Sequence, residues 1–185
     1  MDRKHMTAHP WHDLSPGDGA PDEVRAFIEV PKGSQLKYEL DKESGFIMLD
    51  RVLYSAVHYP GDYGFIPQTC SDDGDPTDVV IVSNFPVHPS TIVSVRPIGI
   101  VEMVDADERD EKIVAVHARD PRFDRYQDLE DMGEHQVLEV RHFFETYKQL
   151  QGKDVEIKGI HGKQAAHEAI NQAIRKYKEE FNRGG

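Results

Sequence analysis

Apolar and polar positions alternate with a period of two from Val24 onward, which predicts β-strands. Ala26, Ile28 and Val30 fall on one side of the first run, Arg25, Phe27 and Glu29 on the other, and Pro31 closes it. Gln35 to Asp41 repeats the pattern, with Tyr38 and Leu40 opposite Lys37, Glu39 and Asp41. Lys42-Glu43-Ser44-Gly45 then reads as a hairpin turn, and Gly45 to Val52 as a returning strand that carries Arg51. Tyr54 to Pro67 is aromatic and turn-rich, and its prolines and glycines forbid a helix. Further strands are expected near Asp78–Ser83, Thr91–Val104, Ile113–His117 and Lys153–Ile160. The period becomes helical over Gly133–Leu150, where Val137, Val140, Phe144 and Tyr147 share a face. It is helical again over Lys163–Phe181, with a stripe of Ala166, Ile170, Ala173, Ile174, Tyr177 and Phe181. Strands come first and helices last, the order of an α+β domain built on an antiparallel sheet or small barrel. Residues 1–22 are polar, rich in Pro, Gly and His, and aperiodic. They are expected to be a mobile arm over a single domain spanning 23–185, with His9, Trp11 and His12 as packing residues in preference to metal ligands.

Composition narrows the partners. A chain of 185 residues with 38% hydrophobic residues can bury one sizeable core. A formal charge of -12 disfavours nucleic acid, whose phosphates call for a basic face, and suits a protein that collects divalent cations. Cys70 is the sole cysteine, so no internal disulfide forms and a reducing cytoplasm is the expected location. No apolar run is long enough for a membrane span, and none resembles a signal-peptide core.

The densest chemistry lies in Asp72-Asp73-Gly74-Asp75-Pro76-Thr77-Asp78, just before the apolar run Val79–Val82. Four carboxylates within seven positions repel one another and need cations, and Gly74 and Pro76 bend and stiffen the backbone that presents them. Oxygen donors without Cys or His point to Mg²⁺, Mn²⁺ or Ca²⁺ and away from zinc. Glu29, Glu39, Asp105 and Asp110 are further acids on strands or loops, and Lys37, Arg51, Lys112 and Lys148 are the matching bases. Acids together with bases suit a metal–phosphate complex, in which carboxylates hold the ions and cationic or phenolic donors hold phosphate oxygens. Metal ions there would lower the pKa of a shared water, and a spare carboxylate could take its proton. An EF-hand loop counted from Asp73 fails, because its sixth and twelfth places hold Asp78 and Asn84. Asp73-Gly74-Asp75-Pro76-Thr77 also fits the Asp-x-Asp-x-Thr motif of haloacid-dehalogenase-like phosphatases, with Asp73 as nucleophile. That reading ranks second, since Gln68-Thr69-Cys70-Ser71 precedes the motif where a hydrophobic strand should stand. An inactive binding module on a small barrel is a third.

Asp73-Gly74-Asp75-Pro76-Thr77-Asp78-Val79 resembles the signature of soluble family I inorganic pyrophosphatases of the shorter, prokaryotic type. The resemblance continues in order through Ile28–Pro31, Lys37–Asp41, Leu49–Arg51, Tyr59–Phe65, Asp105–Lys112 and His142–Lys148. It implies an OB-like five-stranded antiparallel β-barrel flanked by two C-terminal helices, hydrolysing pyrophosphate to two phosphates. The implied cofactor is Mg²⁺, several ions per site, with Mn²⁺ as a substitute, and the implied assembly is a homohexamer, in which His142 is either at a subunit contact or a plain surface residue. By position, Asp73, Asp78, Asp110, Asp105 and Glu39 would hold metals, with Glu29 in support through water. Asp75 would be the general base on a metal-bridging water. Lys37, Arg51, Tyr63, Lys112, Tyr147 and Lys148 would bind the phosphoryl groups, and Tyr59 would line the cavity. Thr77 departs from the usual apolar residue and brings a hydroxyl that needs a partner, and Ile160 stands where many relatives have Trp.

Overall fold

The computed structural model describes residues 8–106 and 108–181; Met1–Thr7 of the arm and Asp107 of the second acidic loop lie outside the described residues. Among the described residues, eight strands and two α-helices follow in the order β1 (Val24–Val30), β2 (Leu36–Leu40), β3 (Ile47–Val52), β4 (Asp62–Phe65), β5 (Asp78–Val82), β6 (Ile92–Asp105), β7 (Glu108–His117), α1 (Glu134–Thr146), β8 (Val155–Gly162) and α2 (Lys163–Phe181).

The first half of β1, Val24–Phe27, pairs with β6, and its second half, Phe27–Val30, pairs with β4. Because β4 continues to β5, β5 to β7 and β7 to β6, five strands return on themselves as an OB-like barrel. The expectation of an all-antiparallel barrel needs one correction: β5 and β7 run parallel, with Asp78 opposite Lys112. As the pattern over Lys153–Ile160 predicts, a strand, β8, stands between the two helices; it adds to the outer edge of β6, while β2 and β3 form a separate hairpin.

Three differences from the sequence pattern have clear causes. The stretch after Tyr54 was expected to be turns, yet it contains β4. Gly64 makes this possible, since a Cβ there would lie 1.9 Å from the Phe27 carbonyl oxygen, so only glycine lets β4 approach β1 so closely. The acidic loop expected over Asp105–Lys112 is mostly strand, because β7 begins at Glu108. α1 ends at Thr146, short of Leu150, and Tyr147 caps it through its N–H to the Phe143 carbonyl. Alternation in β1 is also incomplete as a guide to exposure: only Arg25 is exposed, and Phe27 and Glu29 are buried alongside Ile28 and Val30. That is the pattern of a strand covered on both faces.

One apolar cluster packs α1 (Val140, Phe143, Phe144) against Val101, Val114 and the tyrosines 59, 63 and 147. A second packs α2 (Ala166, Ile170) against Ile28, Ile81, Ile100 and Ile113. A third lies under the arm: Trp11 is 4% exposed and packs with Phe27, Leu40, Phe65, Cys70 and Tyr177. A segment expected to be mobile thus carries a buried anchor, and a single anchor produces no periodicity to read.

Asp62, at the start of β4, is fully buried. It accepts hydrogen bonds from the backbone N–H groups of Lys32 and Val87, each at 2.9 Å, and from the Ser83 hydroxyl at 3.0 Å. One carboxylate therefore joins the β1–β2 and β5–β6 connections to the start of β4. Asp62→Ala leaves these donors unpaired and is expected to cost about 3 kcal/mol of stability, read as a lowered urea midpoint at unchanged slope.

Candidate active site

The turn that opens β5 is held by its own backbone. Ser71 N–H reaches the Asp75 carbonyl at 2.7 Å, Gly74 N–H reaches the Ser71 carbonyl at 3.1 Å, and Asp75 N–H reaches Asp73 Oδ1 at 2.9 Å. Gly74 adopts φ +84°, a conformation that favours glycine. The hydroxyl of Thr77 finds its partner in Ser71 Oγ at 3.1 Å, and its N–H bonds Thr69 Oγ1 at 2.9 Å.

Around this turn lies a cavity of about 310 Å³. Six carboxylates line it (Glu29, Glu39, Asp73, Asp75, Asp78, Asp110), together with five cations (Lys37, Lys42, Arg51, Lys112, Lys148) and the phenols of Tyr63 and Tyr147. They arrive from β1, β2, β3, β4, β5, β7 and the end of α1, and three side chains do most of the joining. Lys112, 4% exposed, shares its ammonium between Asp78 and Asp110, the latter at 2.6 Å. Lys37 Nζ lies 2.9 Å from both Glu39 and Asp50. Glu29 accepts the Leu40 N–H at 2.8 Å and so ties β1 to β2. Asp105, at the end of β6, is paired to Lys148.

Burial sets the electrostatics. It pushes the Glu29 carboxyl up to about 8, and the charge of Asp78 adds to the rise. Burial also raises Asp110, against the pull of Lys112. Burial alone would lower Lys112, but Asp78 and Asp110 outweigh it and hold its ammonium charged. Lys148 moves the other way: burial lowers it despite Asp105. The phenols of Tyr63 and Tyr147 are raised, first by burial, so they remain hydrogen-bond donors at neutral pH.

Similarity to known proteins agrees with this arrangement. The family model for inorganic pyrophosphatase matches residues 26–178. The chain belongs to the inorganic pyrophosphatase family. It is 42% identical to soluble inorganic pyrophosphatase 2 of Chlamydomonas reinhardtii over 94% of this chain and 91% of that one. It is also 42% identical to soluble inorganic pyrophosphatase 1 of Arabidopsis thaliana, over 97% and 84%. Among solved structures, the inorganic pyrophosphatase of Thermus thermophilus superposes with a TM-score of 0.89 at 45% identity, covering 92% of this chain and 99% of that one. That of Helicobacter pylori superposes at 0.82 and 41% identity, covering 85% and 94%.

Membership in the pyrophosphatase family implies a divalent metal, and the residues fit one. The donors are carboxylate oxygens only, and Asp105 Oδ1 is buried without a hydrogen-bond partner among the described residues. Arg51 Nε is likewise buried without a hydrogen bond among the described residues, a donor suited to an anion. Among the described residues no three acidic or metal-ligating side chains already form an ion-gripping group. Lysine ammonium groups lie against Asp75, Asp78, Asp110 and Asp105.

Of the residues singled out from sequence, all but two line the cavity. Asp105 stands behind Lys148. Tyr59 does not line it: the ring is 2% exposed, packs on Tyr63 at 5.3 Å and on Phe143 at 4.7 Å, and forms the floor of a second cavity with His58 and His142. The phosphatase reading with Asp73 as nucleophile fails on the fold, since Asp73 lies in a turn entering a barrel strand and no parallel α/β sheet is present among the described residues. Sequence reasoning missed Trp11, Lys42 and Asp50. The one signal for Lys42 was its place in the turn just beyond Glu39.

Lys112→Met removes the cation between two carboxylates that are themselves mostly buried. With a chelator present to exclude divalent ions, it is expected to lose about 3 kcal/mol or more in urea unfolding, where an exposed Lys would lose almost nothing.

Proposed function

We propose that this chain hydrolyses inorganic pyrophosphate to two orthophosphates in a Mg²⁺-dependent reaction, with Asp75 as general base. The observation that carries this reading is the convergence of six carboxylates and five cations on one cavity, in a chain of the pyrophosphatase family. Carboxylates alone would store metal and cations alone would bind an anion; both together match a metal–phosphate complex.

Lys37, Arg51, Lys112 and Lys148 would hold the phosphoryl oxygens, with Tyr63 and Tyr147 donating their hydroxyls. Asp73, Asp78, Asp105, Asp110 and Glu39 would hold Mg²⁺ or Mn²⁺, and Glu29 would support that set. When bound, the ions neutralise phosphoryl charge and make a water in the cavity more acidic. Asp75 takes the proton of the attacking water as its oxygen bonds to one phosphorus. The bond from that phosphorus to the bridging oxygen breaks, and the electron pair leaves with the second phosphate, whose charge the lysines and Arg51 offset. A cytoplasmic location and a homohexamer complete the reading. The exposed apolar side chains Phe46, Leu49, Val52 and Tyr54 along the β2–β3 hairpin support self-association, and sedimentation at six times the 21.1 kDa chain mass is the expected result.

Phosphate release from pyrophosphate is expected with Mg²⁺ and to vanish when the metal is chelated. Absence of turnover in both conditions would leave the binding-module reading in place. Asp75→Asn should retain most divalent-ion binding by calorimetry while kcat falls by about a hundredfold or more; an unaltered kcat would remove Asp75 as the base. Ca²⁺ should support little turnover, because its larger and looser coordination misplaces the reacting groups.

A further inference from the structure

The arm before β1 reaches the candidate active site, and no role assigned so far uses it. Trp11, the only tryptophan in the chain, lines the cavity beside Lys42 and Asp75. Its indole N–H donates to the Thr69 carbonyl at 2.8 Å, three residues before the acidic turn begins. Its own carbonyl accepts the Gln68 N–H at 2.9 Å, and the Gln68 side-chain amide donates to the His12 carbonyl at 2.8 Å. His12 Nδ1 lies 2.7 Å from the Tyr177 hydroxyl on α2. On the opposite side, His9 Nε2 bonds the Lys42 carbonyl at 3.1 Å, and the Lys42 ammonium lies 5.9 Å from the centre of the Trp11 ring. The same ammonium is paired with Asp75 Oδ1. The arm is thus clamped to the segment leading into the turn and to α2, and it carries the β2–β3 turn against Asp75.

We propose that Lys42 is a positioning residue for Asp75, and that the arm holds Lys42 in place through Trp11 and His9. This rests on the reading of Asp75 as the base. The Asp75 side chain is 49% exposed and sits on a turn, and among the described residues the Lys42 ammonium is the partner its carboxylate finds. A cation on Oδ1 selects one orientation of that carboxylate, and it leaves the second oxygen free to accept a proton. The ammonium is in turn attracted to the face of the indole, and the His9 bond fixes the backbone from which Lys42 extends. Lys42 belongs to the hairpin and Asp75 to the acidic turn, two segments with no strand pairing between them among the described residues, and the arm touches both sides.

The test uses the full chain with Mg²⁺ and compares wild type, Lys42→Met and Lys42→Arg. Loss of an exposed ion pair is worth a modest factor, so Lys42→Met is expected to lower kcat about three- to fivefold while KM for pyrophosphate stays within about twofold. Lys42→Arg, which keeps the charge and stacks on an aromatic face, should recover most of the rate. Trp11 supplies a second readout without turnover: its fluorescence emission in the metal-free protein should change in Lys42→Met and stay near wild type in Lys42→Arg. An unchanged kcat in Lys42→Met, a loss confined to KM, an arginine variant no better than methionine, or an unaltered emission would each overturn the proposal. A wild type that releases no phosphate would sink the proposed function itself, whereas an active wild type with a fully active Lys42→Met would sink only the role of Lys42.

Discussion

Lys112 carries its ammonium out of water and into the space between Asp78 and Asp110, and the structure around the cavity depends on that contact. An ammonium so deeply buried is tolerable only where carboxylates surround it, and carboxylates so close together are tolerable only around a cation. The parallel pairing of β5 with β7 sets Asp78 directly opposite Lys112, while Asp110 lies two residues earlier on the same face of β7. The barrel therefore brings together charges that would be scattered in an open chain, and the charges in turn favour this register over a slipped one. A shift by one residue would turn Lys112 toward the opposite face and leave both carboxylates without it.

The same logic extends outward from Lys112. Glu29 is pushed up first by its burial and then by the charge of Asp78 beside it, against the pull of Lys37. Lys37 between Glu39 and Asp50, and Lys148 against Asp105, repeat the arrangement at the rim with more water around them. A cavity that crowds carboxylates and cations together is unfavourable to the fold and useful to a reaction in which metal ions and a highly charged anion enter together. Each guest cancels charge that the other brings.

Much of the arrangement was readable in advance. The turn from Asp72 to Asp78 announced itself by its acids, its Gly and its Pro, and the alternation in β1, β2 and β3 placed Glu29, Lys37, Glu39 and Arg51 on strands. α2 was bounded correctly at Lys163 and Phe181, because its stripe runs unbroken for nineteen residues. β4 was hidden by two glycines that read as turn residues and in fact permit close strand contact. The start of β7 was hidden because charged residues at a sheet end resemble a loop. Trp11 was legible as a packing residue, but its place at the cavity was hidden because one buried side chain in a polar arm has no pattern around it.

The amino-acid sequence by itself determined the local chemistry: which residues extend, which coil, where the backbone must turn, and that charged side chains fall on alternate positions of the first strands. These are properties of neighbours a few positions apart, and period and side-chain type report them directly. Only the tertiary structure decided the contacts between distant segments. It made β5 and β7 parallel, set Tyr59 behind the cavity while Tyr63 lines it, and placed Lys42 and the arm beside Asp75. Those outcomes depend on how the barrel closes and on what is left exposed once it has, and no local pattern encodes that closure.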